Sequence, residues 1–342
     1  MASEVAAAAG IAEADVVRFD TNTTPWPPVA WEKTVLEVPR LPANEYPHPS
    51  NEPLRSGLAH QLGLNPEQVV VTAGADEALF LVASVYLGPG RRAVVADPSF
   101  SMFRVVTETV GGTLVHVPVD ADWDLPLGPL LDAARLPGVH VIWLCSPNNP
   151  TGRMLAPGLP NTVAEAAPDA LVCVDEAYAE IAGSSALPEA LRHPNLAVVR
   201  TFSKGYGLAG ARVGYLVAQR SVTRLVDTVR LPQNLTAFGI AAACRALADQ
   251  AGLTDRVSAL VAERGRLEQA LRARDWQLVP SEANFLLARP PRPAAKVARW
   301  LQTAGLIVRS YPNHPRLREW LRITVRAPEE NARLLARLDS QA

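Results

Sequence analysis

The chain has 342 residues, a net charge of −1, and 48% apolar against 20% charged residues. That length allows a large core and two domains. The near-neutral balance gives no electrostatic case for nucleic acid or an anionic membrane surface as partner. No window reaches the roughly 18 consecutive apolar residues that span a bilayer. Residues 1–10 hold Glu4 and no basic segment, so they do not read as a secretion signal. Cys145, Cys173 and Cys244 are odd in number and far apart, as expected of small buried hydrophobes in a reducing compartment, and the cytoplasm is the expected location. Neither the cysteines nor the six isolated histidines have metal-ligand spacing, so no metal is expected.

Residues 1–15 read as a flexible lead-in. Residues 20–28 are dense in turn formers and should be extended and irregular. A short helix is expected over 29–38, and prolines keep 44–50 extended. Leu54, Leu58 and Leu62 share one face of a helix over 52–62. Strands and helices then alternate. Strands are expected at 68–72, 92–96, 113–117, 139–145, 170–174, 196–200 and 213–218, with helices at 76–87, 100–110 and 127–135. This rhythm predicts an α/β domain with a mostly parallel sheet. From about residue 220 the pattern changes. Helices are expected over 221–230 and 237–273, then a strand at 284–288, a helix at 293–304, strands at 307–310 and 321–325, and a last helix at 328–340. The expected division is residues 1–40 as a segment packing on the small domain or a partner subunit, 41–225 as the large domain, and 226–342 as the small C-terminal domain.

Polar motifs recur just after the strands, where open α/β sheets bind ligands. Gly74-Ala-Asp-Glu77 opens a helix whose free N–H groups could hold an anion, or it is an ordinary Asp N-cap. Ser146-Pro-Asn-Asn-Pro-Thr-Gly152 is a rigid loop able to fix an Asn side chain. Asp175 ends an apolar strand and needs a partner such as a protonated ring nitrogen, or it caps the next helix. Only three of the 33 basic residues are lysines, and Lys204 sits between Thr201, Ser203 and a glycine-rich run ending in Arg212. A buried lysine, unlike arginine, can become a neutral nucleophilic amine, so Lys204 suits a Schiff base beside a bound phosphate. Lys33 and Lys296 lie in amphipathic patterns and read as solvated. Arg309 and Arg322 stand at strand ends, where arginine binds carboxylate or phosphate bidentately.

In this order, Tyr-Pro-His-Pro, Gly-Ala-Asp-Glu, Ser-Pro-Asn-Asn-Pro-Thr-Gly, Asp-Glu-Ala-Tyr, Arg-Thr-Phe-Ser-Lys, Leu-Ala-Gly-Ala-Arg, Ala-Asn-Phe and Leu-Arg-Ile-Thr-Val cover nearly the whole chain. Together they resemble the class I/II aminotransferases of fold type I, and among these the histidinol-phosphate aminotransferases. The resemblance implies a large cofactor-binding domain with a mostly parallel seven-stranded sheet, a smaller α/β domain, and pyridoxal 5′-phosphate as cofactor. It implies that Lys204 forms the Schiff base and shuttles a proton, and that Asp175 pairs with the ring nitrogen. Asn149 and Tyr178 would bond the phenolic oxygen, and Phe100 would stack on the ring. The phosphate would be held at Gly74, Ala75 and Asp76, by Thr201 and Ser203, and by Arg212. Tyr46 would reach the phosphate from a neighbouring subunit, making a homodimer with shared sites. On the substrate side the resemblance implies Asn22, Trp26, Arg322 for the α-carboxylate and Arg309 for a substrate phosphate.

The implied reaction moves an amino group, with glutamate as donor, to a 2-oxo acid or ketone. A lyase of the threonine-phosphate decarboxylase kind shares the same frame and is the alternative. A cofactor-binding regulator would need an N-terminal DNA-binding domain, for which the residues before the first motif leave no room. Departures fall on the substrate side: Thr23-Thr24 and Trp26 replace Glu-Asn and Tyr, Phe100 lacks the usual hydroxyl, and Gln233 stands where an aromatic usually does.

Overall fold

The computed structural model describes residues 2–28 and 44–340, so the helix expected over 29–38 and Lys33 lie outside the described residues. Seven strands form the larger sheet: β2 (Val69–Thr72), β3 (Arg92–Asp97), β4 (Thr113–Pro118), β5 (Val139–Cys145), β6 (Leu171–Asp175), β7 (Leu196–Thr201) and β8 (Gly214–Ala218). Their spatial order is β2-β8-β7-β6-β5-β3-β4. Strands β3 to β7 run parallel, and only β8 runs against its two neighbours. The fold is therefore α/β with a mostly parallel sheet, as the alternation predicts. Helices cover both faces, which is why β5 and β6 read as continuous apolar runs. On one face Trp143, Cys173, Val199 and Leu216 pack with Leu79 and Val82 of the helix Ala75–Tyr86. On the other, Ile142, Val172 and Val198 pack with Leu130 and Val163.

The direction of β8 positions the site. Strand β7 leaves the sheet at Thr201 and the chain returns at Gly214, which pairs with Thr201. The intervening loop thus begins and ends at the same carboxyl edge. Gly214 also pairs with Thr72 of β2. A Cβ on Gly214 would stand 2.5 Å from the carbonyl carbon of Gly74 and 2.7 Å from the nitrogen of Ala75. Only a residue without a side chain lets the Lys204 loop and the start of the helix Ala75–Tyr86 meet this closely.

A second sheet has the order β1-β11-β12-β10-β9, with β1 (Val17–Phe19), β9 (Gln277–Leu278), β10 (Phe285–Arg289), β11 (Leu306–Ser310) and β12 (Leu321–Thr324). The N-terminal strand β1 pairs in parallel with β11, and the other pairs are antiparallel. Phe19, Phe285, Leu286, Ile323 and Leu301 form its core.

Besides the short strands β1 and β9 and the one-turn helices Ala179–Ala182 and Leu187–Ala190, none of them expected, three longer stretches differ from expectation. Residues 2–9 are a helix with Val5 buried rather than a flexible lead-in. A helix, Leu159–Ala166, stands where no element was expected. The helical stretch 237–273 is two helices, Ala237–Ala248 and Gln250–Arg272. They divide at Asp249, whose ψ of 64° leaves the helical region and whose carboxylate accepts from the Gly252 amide at 3.1 Å. The apolar period runs through that break, so periodicity alone did not reveal it. Asp249→Ala should cost about 1 kcal/mol, the usual worth of an N-cap. A fall in thermal midpoint without loss of helical circular dichroism would show this, and an unchanged midpoint would refute the cap.

Candidate active site

Lys204 lies just past the end of β7, and two bonds fix its backbone. Thr24 Oγ1 donates to its carbonyl at 2.6 Å, and the Gly207 amide donates to the same oxygen at 2.9 Å. Its Nζ donates to the Asn22 carbonyl at 2.8 Å. Burial, and then the Arg322 guanidinium, lower the pKa of the amine to about 8, with Asp175 and Asp76 opposing. This is the environment in which a lysine becomes a usable nucleophile.

An anion cradle adjoins it. Gly74 caps the helix Ala75–Tyr86 and has no side chain to satisfy the first amides. The Asp N-cap reading of this motif is therefore corrected: the cap is glycine, and Asp76 turns instead to Arg212, with Nη2 to Oδ2 at 3.2 Å. Gly74 has φ 83°, and a Cβ there would meet Arg212 Nη2 at 2.7 Å. Arg212 itself adopts φ 52°, a left-handed conformation that costs a side-chain-bearing residue roughly 1–2 kcal/mol. The turn aims the guanidinium back across the loop, where Nη1 lies 3.5 Å from Ser203 Oγ. Thr201 Oγ1 donates to Ser203 Oγ at 3.0 Å. Helix amides, two hydroxyls and a guanidinium thus converge, a donor set suited to a phosphate ester.

On the other side, Asp175 is 2% exposed and accepts one hydrogen bond, from the Ala177 amide at 3.0 Å. Burial pushes its carboxyl up to about 7, against the Ala177 bond; Asp76 adds to the rise and Lys204 opposes it. A cationic N–H placed against it would restore the carboxylate. Tyr178 lies 5.3 Å from Phe285 in an edge-on contact, and burial pushes its phenol upward, so it remains a donor. Asn149, in the loop after β5, accepts from Arg322 Nη1 at 2.7 Å. Arg322 Nη2 also donates to the Asp20 carbonyl, while its buried Nε has no partner.

Asn22 ties these parts together. It has φ 52°. Its side-chain amide donates to Tyr178 Oη at 3.0 Å, its backbone amide to Thr324 Oγ1 at 3.0 Å, and its carbonyl also accepts from Asn284 Nδ2 at 3.0 Å. Sequence reasoning assigned no role to Asn284 or Thr324. Both stand inside motifs that carry the resemblance, Asn284 in Ala-Asn-Phe and Thr324 in Leu-Arg-Ile-Thr-Val, each as a polar residue in an apolar run.

One cavity of about 260 Å³ is lined by Asn22, Ala75, Asp76, Phe100, Asn149, Asp175, Tyr178, Thr201, Ser203, Lys204, Arg212 and Arg322. Phe100 is set by an edge-on contact with Phe103, which stacks on Trp143. Gly74 stands behind Arg212. Arg309 lines an adjoining cavity of about 730 Å³ that shares Phe100, Asn149 and Arg322 with the first. Two expected residues lie apart. Trp26 packs against the core of the smaller sheet, and Tyr46 is 88% exposed. Among the described residues no histidine, cysteine and carboxylate cluster could hold a metal, and no helix is long and apolar enough to cross a membrane.

The sequence profile of the aminotransferase class I and II family matches residues 15–338. Histidinol-phosphate aminotransferase 1 of Thiobacillus denitrificans is 37% identical over 97% of this chain and 87% of its own length. Among solved structures, histidinol-phosphate aminotransferase from Sinorhizobium meliloti, in complex with pyridoxal-5′-phosphate, superposes with a TM-score of 0.90 at 26% identity, covering 100% of this chain and 95% of that one. L-threonine-O-3-phosphate decarboxylase from Porphyromonas gingivalis shares the fold, with a TM-score of 0.81 at 24% identity over 95% of this chain and 99% of that one.

The lowered pKa of Lys204 is directly testable. Reductive methylation of the cofactor-free protein, read on the Lys204 peptide by mass spectrometry, should rise through pH 8 and level off above it. The neutral amine is the reacting form, so a rise centred near the ordinary lysine value of about 10.4 would contradict the site electrostatics.

Proposed function

Since this chain belongs to the class I and II aminotransferases, we propose that it transfers an amino group from glutamate to a phosphorylated oxo compound of the histidinol-phosphate type. It is a pyridoxal-phosphate-dependent aminotransferase of fold type I. The observation that carries the site assignment is the convergence of Lys204, the buried Asp175 and the anion cradle on one cavity. The residues fit the cofactor. The Gly74 backbone leaves its helix amides free, and a side chain there would displace the Arg212 guanidinium. Asp175 retains acceptor capacity where a ring N–H would lie.

When bound, pyridoxal phosphate supplies an aldehyde carbon that exchanges amines and a cationic ring that takes up the electron pair left at the substrate's Cα. The protein's share is binding, orientation and proton movement. Ala75, Asp76, Thr201, Ser203 and Arg212 hold the phosphate, and Phe100 covers one ring face. Asp175 keeps a proton on the ring nitrogen. Asn149 and Tyr178 direct hydrogen bonds at the phenolic oxygen. Arg322, which lines the cavity, binds the α-carboxylate of glutamate. Lys204 Nζ, with a pKa near the working pH, takes and returns a proton at the substrate Cα. The wider cavity with Arg309 receives the substrate's distal phosphate.

Tyr46, bare in the single chain, is assigned to the phosphate of a partner's site, so the working unit is a homodimer with shared sites. Residues 41–225 serve as the large cofactor domain and 226–342 as the small one, with 1–40 packing on the small domain or a partner subunit. Cysteines free of disulfides suit a reducing cytoplasm.

Three measurements test this reading. Lys204→Ala should lose the visible chromophore and turnover, and a variant that keeps both would refute the lysine's role. With the native protein, glutamate and histidinol phosphate should each convert the cofactor to its amine form without release of carbon dioxide. Carbon dioxide release without that conversion would make the protein a lyase. Arg309→Ala should weaken phosphorylated substrates roughly 10–100-fold, the worth of one charged hydrogen bond of about 1.5–3 kcal/mol. Equal effects on unphosphorylated substrates would remove Arg309 from this role.

A further inference from the structure

The pairing of β6 with β7 sets Asp175 opposite Val199. Paired residues point to one face, and their successors point to the other. Glu176 and Arg200 therefore meet on the face away from the cavity, directly behind Asp175 and Thr201. Arg200 Nη2 and Nε lie 3.0 and 3.1 Å from Glu176 Oε2. That oxygen also accepts from Ser185 Oγ at 2.7 Å, and Oε1 accepts from the Ala186 amide. Arg200 Nη1 is 3.7 Å from Glu180 Oε1. All three side chains are buried, at 12%, 2% and 9% exposure for Arg200, Glu176 and Glu180.

Among the described residues neither carboxylate oxygen of Glu180 has a hydrogen-bond partner, and the cation that faces it is Arg200. Glu180 packs against Gly205, the residue after Lys204: a Cβ on Gly205 would stand 2.8 Å from Glu180 Cβ. From its other side, Gly205 is held by Arg256 Nη1 donating to its carbonyl at 3.1 Å. Glu176 and Glu180 both lie on the segment that leaves Asp175, whereas Arg200 stands near the end of β7, four residues before Lys204, so one guanidinium ties the exit of β6 to the strand that leads into the Lys204 loop. A buried ion cluster adds little net stability over apolar residues of the same volume. What apolar residues could not do is tie two separate segments at a fixed distance.

We propose that Arg200 is a positioning residue, which from the back of the sheet holds Glu176 and Glu180, on the segment after Asp175, against the end of β7 and so sets the spacing between Asp175 and the Lys204 loop that the cofactor bridges. This rests on the reading that Asp175 and Lys204 contact the cofactor. The field has the matching sense. Burial raises Asp175 to about 7, Glu176 adds to that rise, and Arg200 is the cation paired with Glu176. The other charged groups facing Asp175 are Asp76 on the helix Ala75–Tyr86 and Lys204 on its loop. Those facing Lys204 are Arg322 on β12, Asp175, Asp76 and Arg212. Loss of the Arg200 charge leaves Glu176 uncompensated and favours cationic forms at the site.

The test uses cofactor-loaded protein and compares Arg200→Lys and Arg200→Met with Leu130→Ala, a core variant in the helix Leu127–Ala134. Cofactor release is followed by ultrafiltration, alongside the pH at which the visible band changes and the melting temperature. Arg200→Lys keeps the charge but cannot span both carboxylates. It should speed release about tenfold, the scale of one contact in a coupled network. Arg200→Met should speed it further and move the band transition to higher pH. Leu130→Ala should melt earlier and change neither. Native release rates in folded Arg200→Lys, or equal acceleration in Leu130→Ala, would overturn the proposal. Arg200→Lys alone decides if Arg200→Met fails to fold. A visible band that persists in Lys204→Ala would sink the lysine reading alone, whatever the Arg200 variants do.

Discussion

The structure depends on the close approach of two backbones, at Gly74 and Gly214. Strand β8 runs against β2 and β7, and its first residue meets the turn before the helix Ala75–Tyr86 with no room for a Cβ. That contact brings together three segments far apart in sequence: the helix start, the loop after β7 and the end of that loop at Arg212. Were β8 parallel, Thr201 and Arg212 would lie at opposite edges of the sheet. The anion cradle is thus a consequence of topology; glycine is a steric requirement at Gly214 and, with φ 83°, a conformational one at Gly74.

Around this contact the electrostatics are set by burial more than by pairing. Asp175 and Lys204 are both taken from water, and burial is the largest influence on each. It moves the acid up and the amine down, each toward its neutral form. Neither group is matched by a dedicated ion pair at hydrogen-bond distance among its described contacts. The acid accepts from one backbone amide and the amine donates to one carbonyl. Such groups can answer to a bound cation and a bound aldehyde, whereas a carboxylate clamped by arginine, as Glu176 is, could not.

The cofactor end of the site was legible because its signals are local. A rare lysine, an acid ending an apolar strand and a glycine opening a helix each stand next to a strand that periodicity identifies. What was not legible depends on distant pairing. The Asn22 strap reaches Lys204, Tyr178, Thr324 and Asn284, and none of these is near it in the chain. Its left-handed backbone has no signature beyond asparagine's tolerance of that conformation. The Arg200 cluster was hidden in the same way. Glu176 and Arg200 are 24 residues apart in the chain, and only the register of β6 and β7 turns both to the same face. The break at Asp249 was missed because a cap interrupts backbone geometry without interrupting the apolar face.

The two cavities are walled differently. The phosphate and ring contacts proposed for this site come from strand ends, a helix terminus and the loop locked between β7 and β8, all held by the sheet. The wider cavity is walled instead by loop residues, among them the 311–317 segment between β11 and β12. That segment is fastened to the larger sheet by His314 Nε2 at 3.1 Å from Asp97 Oδ1 and by Arg316, which donates to the Val119 and Asp120 carbonyls and lies 4.5 Å from the Trp123 ring centre. Side chains on such a wall can change without disturbing the sheet, whereas a side chain at Gly214 cannot be accommodated. Phe100, Asn149 and Arg322 belong to both cavities. They are the positions at which a change on the side of the wider cavity is felt in the smaller one, and Phe100 is the one aromatic ring among them.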